Sequence, residues 1–229
     1  MSVIELKQLR FRWKGQQHDT LSLSDLQIQR GEHVFLHGAS GTGKTTLLNL
    51  LTGIMTPTEG GIHILGQPFH ELSPTQRDRF RADHMGVIFQ QFNLLPYLSV
   101  LDNVLLPCHF SARRKAQAGQ VQETAEQLLS HLKLSPELCR KKVTELSVGQ
   151  QQRVAVARAL IGKPELIIAD EPTSALDTST RNNFLDLLFS EAEAQNSTLI
   201  FVSHDPYIAK RFPRVIELGE INQAMETSA

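Results

Sequence analysis

The sequence predicts an α/β protein in which a mostly parallel β-sheet is covered by helices on both faces. Short apolar runs at residues 34–37 and 166–169 have the length and composition of buried strands. A segment with helical character follows each run, and strands that alternate with helices favour a parallel sheet. The chain has 229 residues, of which 41% are hydrophobic, and this is enough for one large globular domain.

The first half of the chain contains most of the predicted strands. Residues 3–9 alternate as a strand does, and Leu21, Leu23 and Leu26 fit a second extended segment. Ser73 and Pro74 are typical of a helix N-cap and the first helical position. The further elements, in chain order, are a strand at 34–37, a helix at 44–52 closed by Gly53, a strand at 62–65, a helix at 74–81 and a strand at 87–89 that ends at Gln90.

A helical stretch at about residues 91–147 interrupts the alternation and predicts an inserted subdomain. Within it, apolar residues at helical spacing are Val121, Ala125, Leu128, Leu129 and Leu132. Residues 111–120 are the best candidate for a flexible loop. A second alternation follows, with a helix at 149–160, a strand at 166–169, a helix at 179–194, a strand at 199–202, a short helix after Pro206 and a strand at 215–218.

Composition argues against several kinds of partner. The 23 Lys and Arg residues balance 24 Asp and Glu residues, so no global field attracts nucleic acid, and we expect no nucleic-acid partner. The basic runs at 113–115 and 140–142 lack interleaved aromatic residues, which favours solvated helix ends. Cys108 and Cys139 are expected to be free thiols in a reducing compartment. We expect no signal peptide, because residues 1–5 lack a basic region followed by an apolar run, and no membrane span, because no run of ~18 apolar residues occurs.

A glycine-rich loop carries the strongest chemical signal. Residues 38–45 match the pattern G-x-x-x-x-G-K-[ST] between a predicted strand and a helix, where backbone N–H groups bind phosphate oxygens. Lys44 would reach the β- and γ-phosphates, and the Thr45 hydroxyl would bind Mg²⁺. We therefore expect ATP and Mg²⁺ as cofactors. The predicted nucleotide-binding residues are Gly38, Ala39, Ser40, Gly41, Thr42, Gly43, Lys44, Thr45 and Thr46.

Two carboxylates follow the apolar strand at 166–169. Behind a phosphate loop, Asp170 is expected to hold the Mg²⁺ ion, and Glu171 to orient and deprotonate the attacking water. The alternative is a pair of acids at a strand end that are only solvated. Taken without the phosphate loop, the pair would be a weak signal, because buried strands followed by acids are common in α/β folds.

Residues 146–153 form a Ser-x-Gly-Gln turn at the head of a helix. A helix N-terminus with small residues offers unpaired N–H groups to an anion, although a simple N-capped helix is the alternative. In its order of motifs the chain resembles the ABC ATPase family over nearly its whole length. That order is Trp13, the phosphate loop, Gln90, the signature at Ser147, the acids Asp170 and Glu171, residues 174–177, and His204.

The resemblance implies a P-loop NTPase (RecA-like) core with a mostly parallel sheet, an N-terminal antiparallel β subdomain and an inserted α-helical subdomain. Residues 1–229 would form one ABC ATPase domain, with the catalytic core and β subdomain at 1–90 and 148–229 and the helical signature subdomain at 91–147. It also implies a head-to-tail dimer that encloses two ATP molecules. In that dimer Ser147 and Gly149 would contact the γ-phosphate held by the other subunit's Lys44, and Gln150 and Asp177 would also bind nucleotide.

The resemblance assigns three more residues. Gln90 would sense the γ-phosphate and the metal, with the adjacent Gln91 as the alternative register, and His204 would contact the γ-phosphate. Trp13 would stack on adenine; the alternatives are a core or edge aromatic, with Phe11 as the substitute. Together with Glu171, Gln90 and His204 form the predicted catalytic set, and Thr45, Gln90 and Asp170 the predicted metal ligands.

Val148 stands where the family usually has glycine. Valine has the same backbone N–H as glycine, but positive φ is energetically unfavourable for a β-branched residue. A tolerated variant with ordinary ATPase activity is favoured over a slowed site.

Residues 80–90 and 93–104 resemble one bacterial branch, which includes ATPases of lipoprotein-releasing, macrolide-exporting and cell-division (FtsE-like) complexes. That resemblance implies a polytopic membrane partner with a periplasmic domain and a cytoplasmic location on the inner face of the membrane. Residues 174–177 depart from the branch, and with about eleven residues after Leu218 we expect no C-terminal regulatory domain. Leu94, Leu95 and Tyr97 are either the contact with that partner or subdomain core. The alternative function is a soluble ABC-type ATPase, or a regulator, that acts without a membrane partner.

Overall fold

The computed structural model describes residues 1–174, 176 and 178–224. They form two compact units, one of Met1–Arg81 with residues 198–224, and one of Ala82–Ser197. The strands described are β1 (Ser2–Phe11), β2 (Leu21–Gln29), β3 (His33–His37), β4 (Glu59–Ile64), β5 (Gln67–Pro68), β6 (Met85–Ile88), β7 (Leu166–Asp170), β8 (Thr198–Val202) and β9 (Arg214–Glu217). The helices described are α1 (Lys44–Leu51), α2 (Pro74–His84), α3 (Val100–Phe110), α4 (Ala112–Ala118), α5 (Val121–His131), α6 (Val148–Leu160), α7 (Thr178–Ala194), α8 (Pro206–Ala209) and α9 (Leu218–Ile221), with short 3₁₀ turns at Phe69–Glu71, Pro136–Leu138 and Val143–Glu145.

The first unit contains an antiparallel sheet in the order β2-β1-β4-β5. Leu6 and Leu9 of β1 are almost completely buried, as the apolar residues of a half-buried strand should be. Where β1 and β4 shift register, a Cβ on Gly60 would lie only 2.1 Å from the Gln8 carbonyl oxygen. Only glycine fits that approach. The predicted N-terminal antiparallel β subdomain is confirmed.

Three parallel strands of the same unit carry the phosphate loop. β3 pairs in parallel with β8 on one side and with β9 on the other. Phe35 and Phe201 are fully buried and both pack on Phe212, with ring centroids 5.4 Å apart in each case. Because parallel strands bring their carboxyl ends to one edge, the loops after β3 and β8 lie at the same edge of this sheet.

The second unit contains the parallel pair of β6 and β7, with Met85 opposite Leu166 and Ile88 opposite Ala169. α6 packs closely on β6, since a Cβ on Gly86 would lie 2.2 Å from the Ala159 carbonyl oxygen. The carboxyl ends of β6 and β7 share an edge, and this edge places Gln90 near the acidic end of β7. β6 ends at Ile88, so Gln90 lies two residues beyond the strand, and the first helix after it begins only at Val100.

One predicted flexible loop is wrong. Residues 111–120 contain α4, whose N-cap Ser111 accepts a hydrogen bond from the Arg114 N–H, and the helix ends at Gly119 with φ 66°. Arg114 is 2% exposed, so the interpretation of residues 113–115 as a solvated helix end is also wrong for this residue. Its guanidinium donates to backbone carbonyl oxygens, and no residue type in the sequence identifies such partners.

Two further expectations concern the whole chain. No helix in the described part of the chain is long and apolar enough to cross a membrane. The division into a catalytic core at 1–90 and 148–229 and a signature subdomain at 91–147 stays a prediction.

Candidate functional site

The phosphate loop joins the carboxyl end of β3 to the first turn of α1. Gly41 (φ 85°) and Gly43 (φ 100°) adopt a left-handed conformation that L-residues rarely take. A Cβ on Gly43 would also lie 2.6 Å from Leu21 Cδ2, so the loop packs tightly against the start of β2. The glycines of the motif are therefore needed for positive φ at Gly41 and Gly43 and for close packing at Gly43.

The polar residues of the loop bind its own backbone. Lys44 Nζ donates to the carbonyl oxygens of Gly38 (2.6 Å) and Ala39 (2.8 Å), and the Thr42 hydroxyl donates to the same Ala39 oxygen at 2.9 Å. The ammonium group is therefore held against the loop.

The residues around Lys44 differ in exposure. Ala39, Ser40, Gly41 and Thr45 are exposed, whereas Thr46 is 7% exposed. Thr46 can therefore reach a nucleotide mainly through its backbone N–H.

His204 and Trp13 belong to the same unit as the loop. The N–H of Ser203 donates to the Leu36 carbonyl oxygen at 3.3 Å, and this bond joins the ends of β8 and β3 directly before the exposed His204. Trp13 is 43% exposed and contacts Phe11 edge to face, with centroids 5.2 Å apart. Phe11 is 6% exposed, so of the two aromatic residues Trp13 is the one with surface for a stacking partner.

The acidic strand end lies in the second unit. β7 ends at the half-buried Asp170, and Glu171 has φ 47°, a left-handed conformation that costs a non-glycine residue energy. The next residue, Pro172, accepts a 2.7 Å hydrogen bond from the Nε2 of Gln152, which is 1% exposed and belongs to α6. Gln152 thus fixes the backbone beside Glu171, and the sequence motifs did not single it out.

Gln90 and Gln91 are both exposed at the start of the loop that leads to α3. Phe92 (φ 59°) and Asn93 (φ 47°) follow in left-handed conformations. Arg158, also of α6, donates to the carbonyl oxygens of both, at 2.5 Å to Phe92 and 2.6 Å to Asn93. Burial lowers the pKa of the Arg158 guanidinium. Arg158 is a second residue that the motifs missed, and it ties the Gln90 loop to α6, the helix that begins at the signature residue Ser147.

The signature helix begins as the sequence predicts. Ser147 is the N-cap of α6: its hydroxyl accepts from the Gln150 N–H (3.3 Å), and the Gln150 side chain accepts from the Ser147 N–H (2.9 Å). This capping box satisfies two of the backbone N–H groups at the start of the helix. The structure confirms that Ser147 caps this helix, and the anion-binding role stays a prediction.

Val148 is the first residue of α6 and is 51% exposed. It is not among the described residues with positive φ, so valine does not strain the backbone at this position. A Cβ on Gly149 would meet Thr180 Cγ2 at an ordinary distance of 3.6 Å. Asp177, predicted to bind nucleotide, lies outside the described residues.

The fold and these motifs define an ATP-binding cassette. The family model for ABC transporters matches residues 21–174, and the chain belongs to this family. It is an ATP-binding subunit that hydrolyses ATP, of the branch that the sequence predicted.

Several relatives cover most of the chain. It is 41% identical to the lipoprotein-releasing system ATP-binding protein LolD of Xylella fastidiosa, over 90% of this chain and 84% of that protein. It is 38% identical to the uncharacterized ABC transporter ATP-binding protein YbbA of Escherichia coli K12, over 95% of this chain and 94% of that protein. The macrolide export ATP-binding/permease protein MacB of Rhodopirellula baltica is 39% identical over 95% of this chain, which spans only 32% of MacB.

A solved relative supports a self-dimer. The ATP-binding cassette MJ0796, a protein of Methanocaldococcus jannaschii, has been solved as a dimer in a post-hydrolysis state bound to ADP and Pi. It matches with a TM-score of 0.82 and 36% identity, over 94% of this chain and 95% of that one.

Proposed function

We propose that this chain drives a membrane-embedded complex of the lipoprotein-releasing or macrolide-exporting type by closing as a dimer on two ATP molecules. One observation carries the proposal: α6 begins at an exposed surface with Ser147, an exposed Val148 and Gly149. The first N–H groups of a helix lack intrahelical partners and carry the positive end of its dipole. Such a terminus suits a γ-phosphate that a second copy supplies.

In the proposed head-to-tail dimer, each phosphate loop faces the signature helix of the other copy. Ser147 and Gly149 would contact the γ-phosphate held by the partner subunit's Lys44, and Gln150 and Asp177 would also bind nucleotide. Trp13 would stack on the adenine. Each active site would then need residues from both copies, so hydrolysis would depend on dimer closure.

Hydrolysis would proceed by in-line attack of water on the γ-phosphorus. Glu171 would take the proton of the attacking water as its oxygen bonds to phosphorus, while the bond to the β-phosphate oxygen breaks and ADP leaves. His204 would contact the γ-phosphate, and Gln90 would report its presence to the loop held by Arg158. The ionised form of Glu171 is the one that accepts the proton.

The donor atoms at three predicted positions fit Mg²⁺. Thr45 offers a hydroxyl, Gln90 an amide oxygen and Asp170 a carboxylate, and hard oxygen donors are the ligands that Mg²⁺ prefers, together with phosphate oxygens. When bound, the ion would neutralise charge on the β- and γ-phosphate oxygens.

A polytopic membrane subunit with a periplasmic domain is the proposed partner, and it would hold the chain at the cytoplasmic face of the membrane. Tyr97 is 70% exposed, while Leu94 and Leu95 are half-buried, which favours Tyr97 as a contact and assigns the leucines partly to packing. The near-zero net charge gives no support for a nucleic-acid partner.

The dimer is tested with Glu171→Gln, which keeps the size of the side chain and removes the base. With saturating Mg-ATP this variant should elute as a dimer in size-exclusion chromatography, and the double variant Glu171→Gln, Lys44→Ala should remain a monomer. A Glu171→Gln chain that stays monomeric and hydrolyses ATP at the normal rate would refute both the base and the shared site.

The membrane partner is tested by affinity purification of the chain from detergent-solubilised membranes, with Tyr97→Ser as a matched variant. Recovery of a polytopic protein that Tyr97→Ser loses would support the proposal. Recovery of only ribosomes or nucleic acid would favour the soluble alternative.

A further inference from the structure

The side chain of Asn222 is buried beside the phosphate loop and makes four hydrogen bonds. The residue is 2% exposed. The amide nitrogen donates to the carbonyl oxygens of Thr20 (3.0 Å) and Thr42 (3.2 Å). The amide oxygen accepts from the N–H groups of Ser22 (2.8 Å) and Ala224 (3.2 Å). In the opposite amide orientation, the NH₂ group would face two N–H donors and the oxygen would face two carbonyl oxygens. The four contacts therefore fix the orientation of the amide.

The chain before Asn222 also lies along the phosphate loop. A Cβ on Gly38 would lie 3.5 Å from Leu218 Cβ and 3.3 Å from a carboxylate oxygen of Glu217. Glu217 in turn pairs with His37, the residue before the loop. We call residues 217–222 the C-terminal brace. It contacts the loop near its first residue through Glu217 and at its fifth residue through Asn222.

The bond to Thr42 has a geometric consequence. The C=O of Thr42 and the N–H of Gly43 belong to one planar trans peptide unit, and they point in opposite directions. Gly43 accepts either sign of φ, so the φ of Gly43 alone does not fix the orientation of this peptide. A donor on the Thr42 oxygen therefore determines where the Gly43 N–H points.

We propose that Asn222 is a positioning residue for nucleotide binding: by holding the Thr42 carbonyl, it aims the Gly43 N–H at the phosphates of ATP. The inference rests on the proposed use of the phosphate loop. Backbone N–H groups of such a loop cradle the phosphates that ATP and ADP share. Loss of the bond should therefore weaken the binding of both nucleotides, while the turnover number at saturating ATP changes little.

The test compares Asn222→Asp with the wild type. The substitution keeps the shape and the two accepted hydrogen bonds, and it replaces the amide donor to the Thr20 and Thr42 carbonyl oxygens by a carboxylate oxygen. We expect Kd for both ATP and ADP, measured by calorimetry, to rise about tenfold, because a lost bond and an unpaired buried acceptor correspond to roughly one decade in affinity. KM for ATP should rise by a similar factor, with kcat within about threefold of wild type.

Two further variants make the result decisive. Gln27→Glu makes the same amide-to-acid change at an exposed position of β2, and it should bind ATP as the wild type does. If Asn222→Asp does not fold, as judged by its thermal melt, Asn222→Ala takes its place, because truncation removes the donor without burying a carboxylate.

Three outcomes overturn the inference: a folded Asn222 variant that binds ATP within twofold of wild type, a fall in kcat with unchanged KM, or an equal loss of affinity in Gln27→Glu. A wild-type chain that binds no ATP would instead refute the proposed function.

Discussion

Arg114 should be one of the most costly side chains to remove, although it is remote from the sequence motifs. Its guanidinium donates to the carbonyl oxygens of Ile161 (2.7 Å from Nε), Ala159 (2.6 Å) and Met85 (3.2 Å). The first two acceptors lie at the end of α6, where the helix dipole is negative and carbonyl groups lack intrahelical partners. Arg114 is therefore the C-terminal cap of the signature helix.

The magnitude follows from two opposing terms. Arg114→Met keeps most of the side-chain volume but removes the donor from three carbonyl groups, at a cost of about 1–3 kcal/mol for each one left buried and unpaired. Against this, burial lowers the pKa of the Arg114 guanidinium to about 10, which corresponds to about 3 kcal/mol of destabilisation of the charged form. The balance is a loss of about 3 kcal/mol in the free energy of unfolding, out of roughly 5–15 kcal/mol for a typical domain.

Urea denaturation followed by circular dichroism measures this loss, with Lys115→Met as the control. Lys115 is the next residue on α4, is exposed, and carries the same charge, so its replacement should change the free energy of unfolding by less than about 0.5 kcal/mol. If the Arg114 and Lys115 variants lose the same small amount, the carbonyl network does not stabilise the fold and the reasoning is wrong.

Three further predictions concern turnover and pH. Gln152→Leu should lower kcat about tenfold with KM for ATP unchanged, because the Pro172 carbonyl loses its donor; a normal rate of phosphate release would contradict this. Val148→Gly should leave turnover within several-fold, and a large rise in the ATPase rate would identify Val148 as a brake. Burial raises the pKa of Glu165, but its bond to His84 and the nearby Arg113 outweigh burial, and the pKa lies below its ordinary value of 4.5. Glu165 therefore stabilises the fold above that value and ceases to do so as the pH falls through the lowered pKa. The difference in unfolding free energy between wild type and Glu165→Gln should shrink below about pH 4 in denaturation series, and a constant difference would refute the assignment.

The strands were predictable because buried strands are local apolar runs. Residues 166–169 and 199–202 were expected as strands, and β7 and β8 occupy Leu166–Asp170 and Thr198–Val202. The start of α6 was equally predictable, since the Ser147 cap and its Gln150 partner are three residues apart. In each case the interacting groups lie within a few residues of one another, and a sequence displays such groups side by side.

Arg114 was misjudged for the opposite reason. A cation within a basic run is usually solvated, and its partners here are backbone oxygens 29 to 47 residues away. Asn222 is separated from Thr42 by 180 residues and from Ser22 by 200. Backbone carbonyl groups are the same at every position, so no residue type in the sequence indicates which of them will become a partner.

The residues that the motifs missed share one role. Arg158 holds the loop after Gln90, Gln152 holds the loop after Glu171, and Asn222 holds the phosphate loop. Each is a side-chain donor to a carbonyl oxygen in a loop where nearby residues have positive φ, a conformation that needs external support. Motif residues supply the chemical groups of such a site, whereas these donors determine where the groups point. Substitutions at Arg158, Gln152 and Asn222 should therefore change affinity or turnover without removing any group that touches the nucleotide.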